Sequence, residues 1–183
     1  MVIGGVDEVG RGCLAGPVVA GAVILNSPIQ GLDDSKKLTK KKREILFSQI
    51  LESAVCSIGI IWSSEIDQLN ILNATKKAMQ IAISRLSVRP DYLRIDGMPL
   101  EIDIENKGII GGDSLYPEIM AASIIAKVTR DEIMRSFDFI YPEFRFGKNM
   151  GYGTKHHLNL INNHQYTPIH RKSFNPLKSL LQA

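Results

Sequence analysis

Asp7 and Glu8 stand side by side after a short apolar run, Val2-Ile3-Gly4-Gly5-Val6, and a glycine-flanked arginine, Gly10-Arg11-Gly12, follows at once. Two carboxylates at a strand end, beside a turn of exposed backbone N–H groups, suit a divalent cation and a phosphate. Two further isolated acids, Asp96 and Asp113, each follow a hydrophobic segment much later in the chain. Mg²⁺ and Mn²⁺ favour oxygen ligands, and two ions about 3.5–4 Å apart need several carboxylates to hold them. Four acids that can converge at strand ends therefore point to metal-dependent phosphodiester chemistry. Taken alone, any one of the 19 acids reads equally as a solvated surface group. Asp7 differs, because an unpaired carboxylate ending a buried strand is costly. Spacing leaves the metal and the surface readings both open.

Other motifs carry rival chemistry. Gly10-Arg11-Gly12-Cys13-Leu14-Ala15 fits the dinucleotide fingerprint G-x-G-x-x-G/A, with Asp33 downstream. That fingerprint needs a helix to start on the glycines so that its N-terminus meets the pyrophosphate. Here Pro17-Val18-Val19 continues the chain, with Val23 and Ile24 beyond, and this is strand material. Asp33-Asp34-Ser35-Lys36-Lys37-Leu38 reads either as a capped, solvated helix start or as a loop setting Lys36 or Lys37 against a phosphate. Tyr152, bracketed by Gly151 and Gly153, is either a packing residue or a ring presented to a sugar or base. His156, His157, His164 and His170 lack the spacing and cysteine companions of a zinc site.

These residues need elements to position them. Val2–Val6 is expected as a strand delivering Asp7, and 17–25 as a buried strand, because it is β-branched or small and uncharged. A helix is predicted over 39–53, with Thr39 as N-cap and Ile45, Leu46, Ile50 and Leu51 as its apolar stripe. A strand over 55–62 follows, then a helix over about 70–86 carrying Leu72, Met79, Ile83 and Leu86. The strand 92–95 delivers Asp96, and a short apolar segment, Ile109-Ile110, precedes Gly111-Gly112-Asp113. A long helix is predicted over 117–140, its small residues Ala121, Ala122, Ser123 and Ala126 allowing close packing on a sheet. Beyond it aromatic and basic residues interleave (Tyr141, Phe144, Arg145, Phe146, Lys148, Tyr152), and a short helix is expected over 155–163. Strands first, then strand–helix alternation, favour a mixed-sheet α/β domain.

The chain has 183 residues, 44% of them hydrophobic and 22% charged, as in an ordinary soluble domain. One domain of this size buries roughly 70% of its unfolded surface. No apolar run approaches the ~18 residues that span a bilayer, so cytoplasmic residence and no membrane partner are expected. Cys13 and Cys56 are expected as buried, unpaired thiols in a reducing compartment. A net charge of +3 permits a polyanionic partner without requiring one.

Taken together, the segments resemble ribonuclease HII, the type 2 ribonuclease H family of bacterial type. The resemblance rests on Gly5-Val6-Asp7-Glu8-Val9-Gly10-Arg11-Gly12, Asp34-Ser35-Lys36-Lys37-Leu38, Ile95-Asp96-Gly97 and Gly112-Asp113-Ser114. It continues through the run from Ala121 to Asp131, Gly151-Tyr152, and His170-Arg171-Lys172-Ser173-Phe174. It implies a ribonuclease H-like fold, a central mixed five-stranded sheet flanked by helices, in one domain whose region from about 141 to 183 is helical and contacts substrate. It implies an endonuclease that cuts the RNA strand of RNA–DNA hybrids and incises 5′ to a single ribonucleotide in duplex DNA, leaving 5′-phosphate and 3′-hydroxyl ends. By the same resemblance Asp7, Glu8, Asp96 and Asp113 hold two Mg²⁺ or Mn²⁺ ions, one activating water and one stabilising the leaving oxygen. The backbone of Gly10, Arg11 and Gly12 would sense the ribose 2′-hydroxyl, and Tyr152 would stack on the following sugar. Lys36 or Lys37, with Lys127 and Arg130, would face phosphates. A monomer acting with replication or repair partners is expected.

Four positions depart from the family pattern. Gly111 replaces a common lysine, Asn149-Met150 replaces His-Lys, and Cys13 replaces proline; the loss of two basic residues implies a weaker or more salt-sensitive grip on the duplex. The related ribonuclease HIII carries an extra N-terminal domain for which this chain is expected to leave no room. A basic binding module that merely keeps the fold is the rival outside catalysis, and the presence of all four acids argues against it.

Overall fold

The structure, a computed structural model, describes residues 1–182. Its five strands are β1 (Ile3–Val9), β2 (Val18–Leu25), β3 (Ala54–Ile61), β4 (Tyr92–Asp96) and β5 (Glu105–Ile109). They form one mixed sheet in the order β3-β2-β1-β4-β5. β1–β2 and β2–β3 run antiparallel, whereas β1–β4 and β4–β5 run parallel. The mixed-sheet α/β class is that expected from the element pattern, and the five-stranded sheet is that implied by the resemblance. β1 is central because its alternating Val6 and Gly5 can be covered on both faces.

The helices are α1 (Lys40–Ser53), α2 (Ser63–Leu69), α3 (Ile71–Ser84), α4 (Pro117–Ile140), α5 (Phe146–Asn149), α6 (Lys155–Asn162) and α7 (Leu177–Gln182). On one face of the sheet, Ala74, Ala78, Ala82 and Ile83 of α3 pack against Val6, Val18, Ala20 and Ile95. On the other, Leu46 and Ile50 of α1 and Ala121, Ala122 and Ile125 of α4 cover Val23. A third cluster joins Met134 of α4 to Ala15, Phe144, Phe146 and Ile169. Phe144 and Phe146 are thus core residues of the C-terminal region, not an exposed aromatic face.

α4 lies almost on the backbone of β1 and β2. A Cβ on Gly5 would stand 2.2 Å from the Glu118 carbonyl carbon, and one on Gly21 would stand 2.4 Å from the Ala122 oxygen. The small residues foreseen on α4 therefore meet matching small residues on the sheet. Thr39 caps α1 as expected, its side chain accepting from the Lys42 N–H.

Four local expectations change. In α1 only Leu46 and Ile50 are buried, while Ile45 and Leu51 are 51% and 52% exposed, because the stripe facing the sheet is one i,i+4 row wide. Leu72 of α3 is likewise exposed. A separate helix, α2, precedes α3, and Asn70 divides the two at a φ of 66°. Only Ser63 and Ile66 of α2 are buried, too few to make a helical period visible. β5 begins at Glu105 rather than near Ile109, because an edge strand can carry exposed Glu105 and Lys107, and Ile110 lies outside it, 92% exposed.

Candidate active site

Asp7 lies near the C-terminal end of β1, paired with Gly21 of β2. The absence of a side chain at Gly21 lets α4 approach, and Asp7 is enclosed as a result, 4% exposed. Glu8 follows on the strand, and Asp96 ends the parallel neighbour β4. One carboxylate oxygen from each of Asp7, Glu8 and Asp96 lies within 4.8 Å of the other two. Residues 89 positions apart meet because β1 and β4 end at the same edge of the sheet.

Asp113 sits in a short 3₁₀ turn, Gly112–Ser114, between β5 and α4. The Gly112 N–H donates to Asp96 Oδ1 at 2.7 Å, and the Asp113 N–H donates to the same oxygen at 3.4 Å. The Asp113 carboxylate accepts from Lys36 Nζ at 3.0 Å. It stands beside the three-acid cluster, held by a cation. The hydrogen bond to Asp113 raises the Lys36 pKa. Lys36 is carried there by a loop pinned at Ser35, whose hydroxyl lies 2.9 Å from that of Ser123 on α4. Arg43 also holds that loop by donating to the Ser35 carbonyl at 2.8 Å.

The electrostatics are those of a cation site. Burial, followed by the Glu8 charge, pushes Asp7 well above the usual carboxylate range. Burial also raises Glu8 against the opposing pull of Arg11, and burial with the Asp113 charge raises Asp96. Three crowded carboxylate oxygen donors fit Mg²⁺ or Mn²⁺, which take hard oxygen ligands. The dinucleotide alternative fails here, because the chain after Gly12 turns into β2 and starts no helix.

The Gly10-Arg11-Gly12 turn leaves β1 directly after the acids. Gly10 adopts a φ of 94°, and a Cβ there would stand 2.2 Å from Arg130 Nε. Beneath the turn lies Arg171, fully buried, whose guanidinium donates to the carbonyls of Gly10 (2.6 Å), Arg11 (2.8 Å) and Gly16 (2.9 Å). A trans peptide points its N–H opposite to its C=O. With the Gly10 and Arg11 carbonyls turned in to Arg171, the N–H groups of Arg11 and Gly12 point away from the core. Arg171 lies in the His170–Phe174 motif, where no local signal marks a buried arginine. Burial pulls its pKa down to about 10, which leaves it cationic at neutral pH.

Tyr152 is 43% exposed and adjoins the turn through Cys13, whose thiol, after burial, raises the phenol pKa. The Gly151 carbonyl accepts from the Leu14 N–H at 2.8 Å, tying the tyrosine's loop to the residues after the turn. The basic residues divide. Arg11 is exposed, 3.5 Å from Glu8. Lys37 is exposed and pairs with Asp33 at 3.8 Å. Lys127 is committed to Asp131 at 2.8 Å on α4. Arg130 corrects the expectation that it faces phosphates. It has no exposed surface and donates to the carbonyls of Pro17 (2.8 Å), Met150 (2.8 Å) and Ala15 (3.0 Å). Both cysteines are free, but only Cys13 is buried as expected, Cys56 being partly exposed on β3; of the histidines His157 and His170 are buried while His164 is exposed.

Comparison with known proteins adds to this geometry. A family model described as Ribonuclease HII matches residues 4–177. A ribonuclease HII of Thermotoga maritima is 49% identical over 180 residues, covering 98% of this chain and 76% of its own. One of Enterococcus faecalis is 52% identical over 183 residues, covering 98% of this chain and 72% of its own. The crystal structure of a ribonuclease H2 from Pyrococcus horikoshii superposes with a TM-score of 0.83 at 26% identity, covering 100% of this chain and 98% of that one.

Proposed function

Because the chain belongs to the ribonuclease HII family, and is accordingly a ribonuclease H cutting RNA–DNA hybrids, we propose that it also incises duplex DNA 5′ to a single embedded ribonucleotide. The observation that carries this reading is one of adjacency. The Gly10–Gly12 turn leaves β1 directly after Asp7 and Glu8, and the loop of the 43% exposed Tyr152 is tied to the residues after that turn by the Leu14 N–H donating to the Gly151 carbonyl.

In this reading Asp7, Glu8 and Asp96 hold the metal, and Asp113 joins them as Lys36 moves to a phosphate. Bound Mg²⁺ or Mn²⁺ supplies an activated water and charge neutralisation at the leaving 3′ oxygen, leaving 5′-phosphate and 3′-hydroxyl ends. The Gly10–Gly12 turn brings backbone donors against the 2′-hydroxyl, the group that separates RNA from DNA. Only a glycine-lined backbone permits so close an approach to the sugar. Tyr152 stacks on the next sugar, and Lys36, Lys37 and Arg11 supply mobile positive charge toward the backbone phosphates. Replication or repair proteins are the fitting partners for such an activity. Among the described residues no helix is long and apolar enough to cross a membrane.

The test is cleavage of a DNA duplex holding one ribonucleotide, with Mn²⁺, with Mg²⁺ and with chelator. A metal-dependent nick on the 5′ side of that ribonucleotide is expected. Cuts in a long RNA–DNA hybrid with none at the single ribonucleotide would overturn the finer specificity. Tyr152→Ala should lower cleavage at the single ribonucleotide about tenfold or more, the scale of one lost sugar or base stack, and less on the long hybrid.

A further inference from the structure

Beneath Tyr152 lies a buried pair of histidines that the chemistry above does not use. His157 on α6 and His170 in the segment after it are 0% and 1% exposed, and their Nε2 atoms lie 2.8 Å apart. His157 Nδ1 lies 2.8 Å from the Tyr152 carbonyl oxygen. His170 Nδ1 lies 2.9 Å from the Thr167 backbone nitrogen and 2.9 Å from the Thr167 hydroxyl oxygen.

For two neutral rings, the donors and acceptors along this line admit one arrangement. A backbone N–H can only donate, so His170 Nδ1 accepts and the proton of the neutral ring sits on Nε2. That N–H points at His157 Nε2, which must accept, so the His157 proton sits on Nδ1. It donates to the Tyr152 carbonyl. A directional chain thus runs from Thr167 through both rings to the backbone of Tyr152. A second proton on His157 would set its Nε2–H against that of His170.

The surroundings keep the chain dry and neutral. Phe144 and Phe146 pack against both rings, the nearest centroids 4.9 Å apart, between Phe144 and His170. Burial, followed by the neighbouring ring, holds His170 down to about 4, and burial lowers His157. The far end of the chain is equally anchored. The Thr167 carbonyl accepts from the His170 N–H at 3.0 Å, and the next residue is the Arg171 that turns the Gly10 and Arg11 carbonyls inward. One short segment therefore grips both loops that meet the sugar.

We propose that His157 and His170 are positioning residues for Tyr152, fixing its backbone relative to the Gly10–Gly12 turn so that ring and turn meet one nucleotide step together. This rests on the reading of Tyr152 as the residue that contacts the RNA–DNA junction. Packing alone explains two buried rings, but it does not require the tautomers to be matched end to end.

Two measurements decide it. In a long-range ¹H–¹⁵N spectrum of the wild-type, metal-free protein near neutral pH, one buried imidazole should carry its proton on Nε2 and the other on Nδ1. A cationic ring, or the same tautomer in both, overturns the proposal. In parallel, KM and kcat are measured for His157→Phe, His157→Asn and Tyr152→Ala on a single-ribonucleotide duplex and a long hybrid. His157→Phe keeps the ring volume without the donor, and should raise KM on the single-ribonucleotide duplex about tenfold more than on the hybrid, the scale of one buried hydrogen bond. His157→Asn, whose amide N–H occupies the Nδ1 position, should recover most of that loss. Equal effects of His157→Phe on both substrates, with Tyr152→Ala still selective, overturn the positioning role alone. Equal effects of Tyr152→Ala on both overturn the reading of Tyr152, and the proposal with it. If His157→Phe does not fold, the spectrum and the Asn variant still decide.

Discussion

At the scale of single residues, the four acids are not equivalent. Asp7 is the most deeply enclosed and is opposed by Glu8, so its charge strains the metal-free protein. Asp7→Asn is expected to abolish metal-dependent cleavage while stabilising the metal-free protein by about 1–2 kcal/mol, the scale of a carboxylate freed from burial and like charge. Thermal unfolding with chelator and with Mn²⁺ checks this. Only the wild type should gain stability from the ion, because only it keeps the full ligand set. The pH dependence has a definite sign. A carboxyl raised in the folded state takes up its proton before the unfolded chain does, so its penalty is present at neutral pH and fades as pH falls toward 3.8, the ordinary aspartate value. The stability gap between Asp7→Asn and wild type should therefore narrow on acidification. A gap that widens would show Asp7 to be stabilised where it stands.

At the scale of elements, the contact of α4 with β1 and β2 sets the site. Asp7 faces this helix across Gly21, and the helix begins just after the turn that carries Asp113. Gly21→Ala would force a Cβ to 2.4 Å from the Ala122 oxygen, and should destabilise by about 1–3 kcal/mol as an overpacked contact. A denaturant midpoint measures that loss, and kcat should fall with it as Asp7 shifts. Arg130 tests the middle of the helix. Its guanidinium satisfies three carbonyls of the Ala15–Pro17 and Met150 backbone. Arg130→Met should cost about 3 kcal/mol or more by leaving them without donors. The salt slope of hybrid binding should stay unchanged at a temperature where the variant is folded. Loss of about 0.9 from that slope would mean that Arg130 neutralises a phosphate after all.

At the scale of the whole molecule, three layers of secondary structure hold one acidic point on a surface of mildly positive balance. The net charge is only +3, and the loop before Asp113 contributes no cation. Gly111 lies in open space, with nothing within 4 Å of a Cβ and a φ of 68°. Gly111→Lys should thus fit, with a stability penalty of about 1–2 kcal/mol for the left-handed backbone. It should also tighten hybrid binding at low salt and steepen the salt slope by about 0.9. A titration with equal affinity and slope in both proteins would remove this loop from the nucleic-acid contact surface. Asn149, by contrast, has a structural task, donating to the Phe144 carbonyl and accepting from the Gly151 N–H. A histidine there would have to replace both bonds of the Tyr152 loop.

What could be read from the chain was whatever is written locally. The apolar run before Asp7, the strand before Asp96, the cap at Thr39 and the small residues of α4 are patterns of neighbours, and period and capping follow from neighbours. The resemblance carried the fold class further, through motifs spread along nearly the whole sequence. What only the tertiary structure decided are the pairings between distant segments. Lys36 meets Asp113 across 77 positions, Arg171 reaches Arg11 across 160, and His170 meets His157 only because α6 and the segment after it close on Phe144 and Phe146. A charged or titratable side chain has the same letter whether it faces water or is buried among carbonyls. Its partners are chosen by chain closure, and Arg130, expected at a phosphate and found beneath the loop, shows the difference.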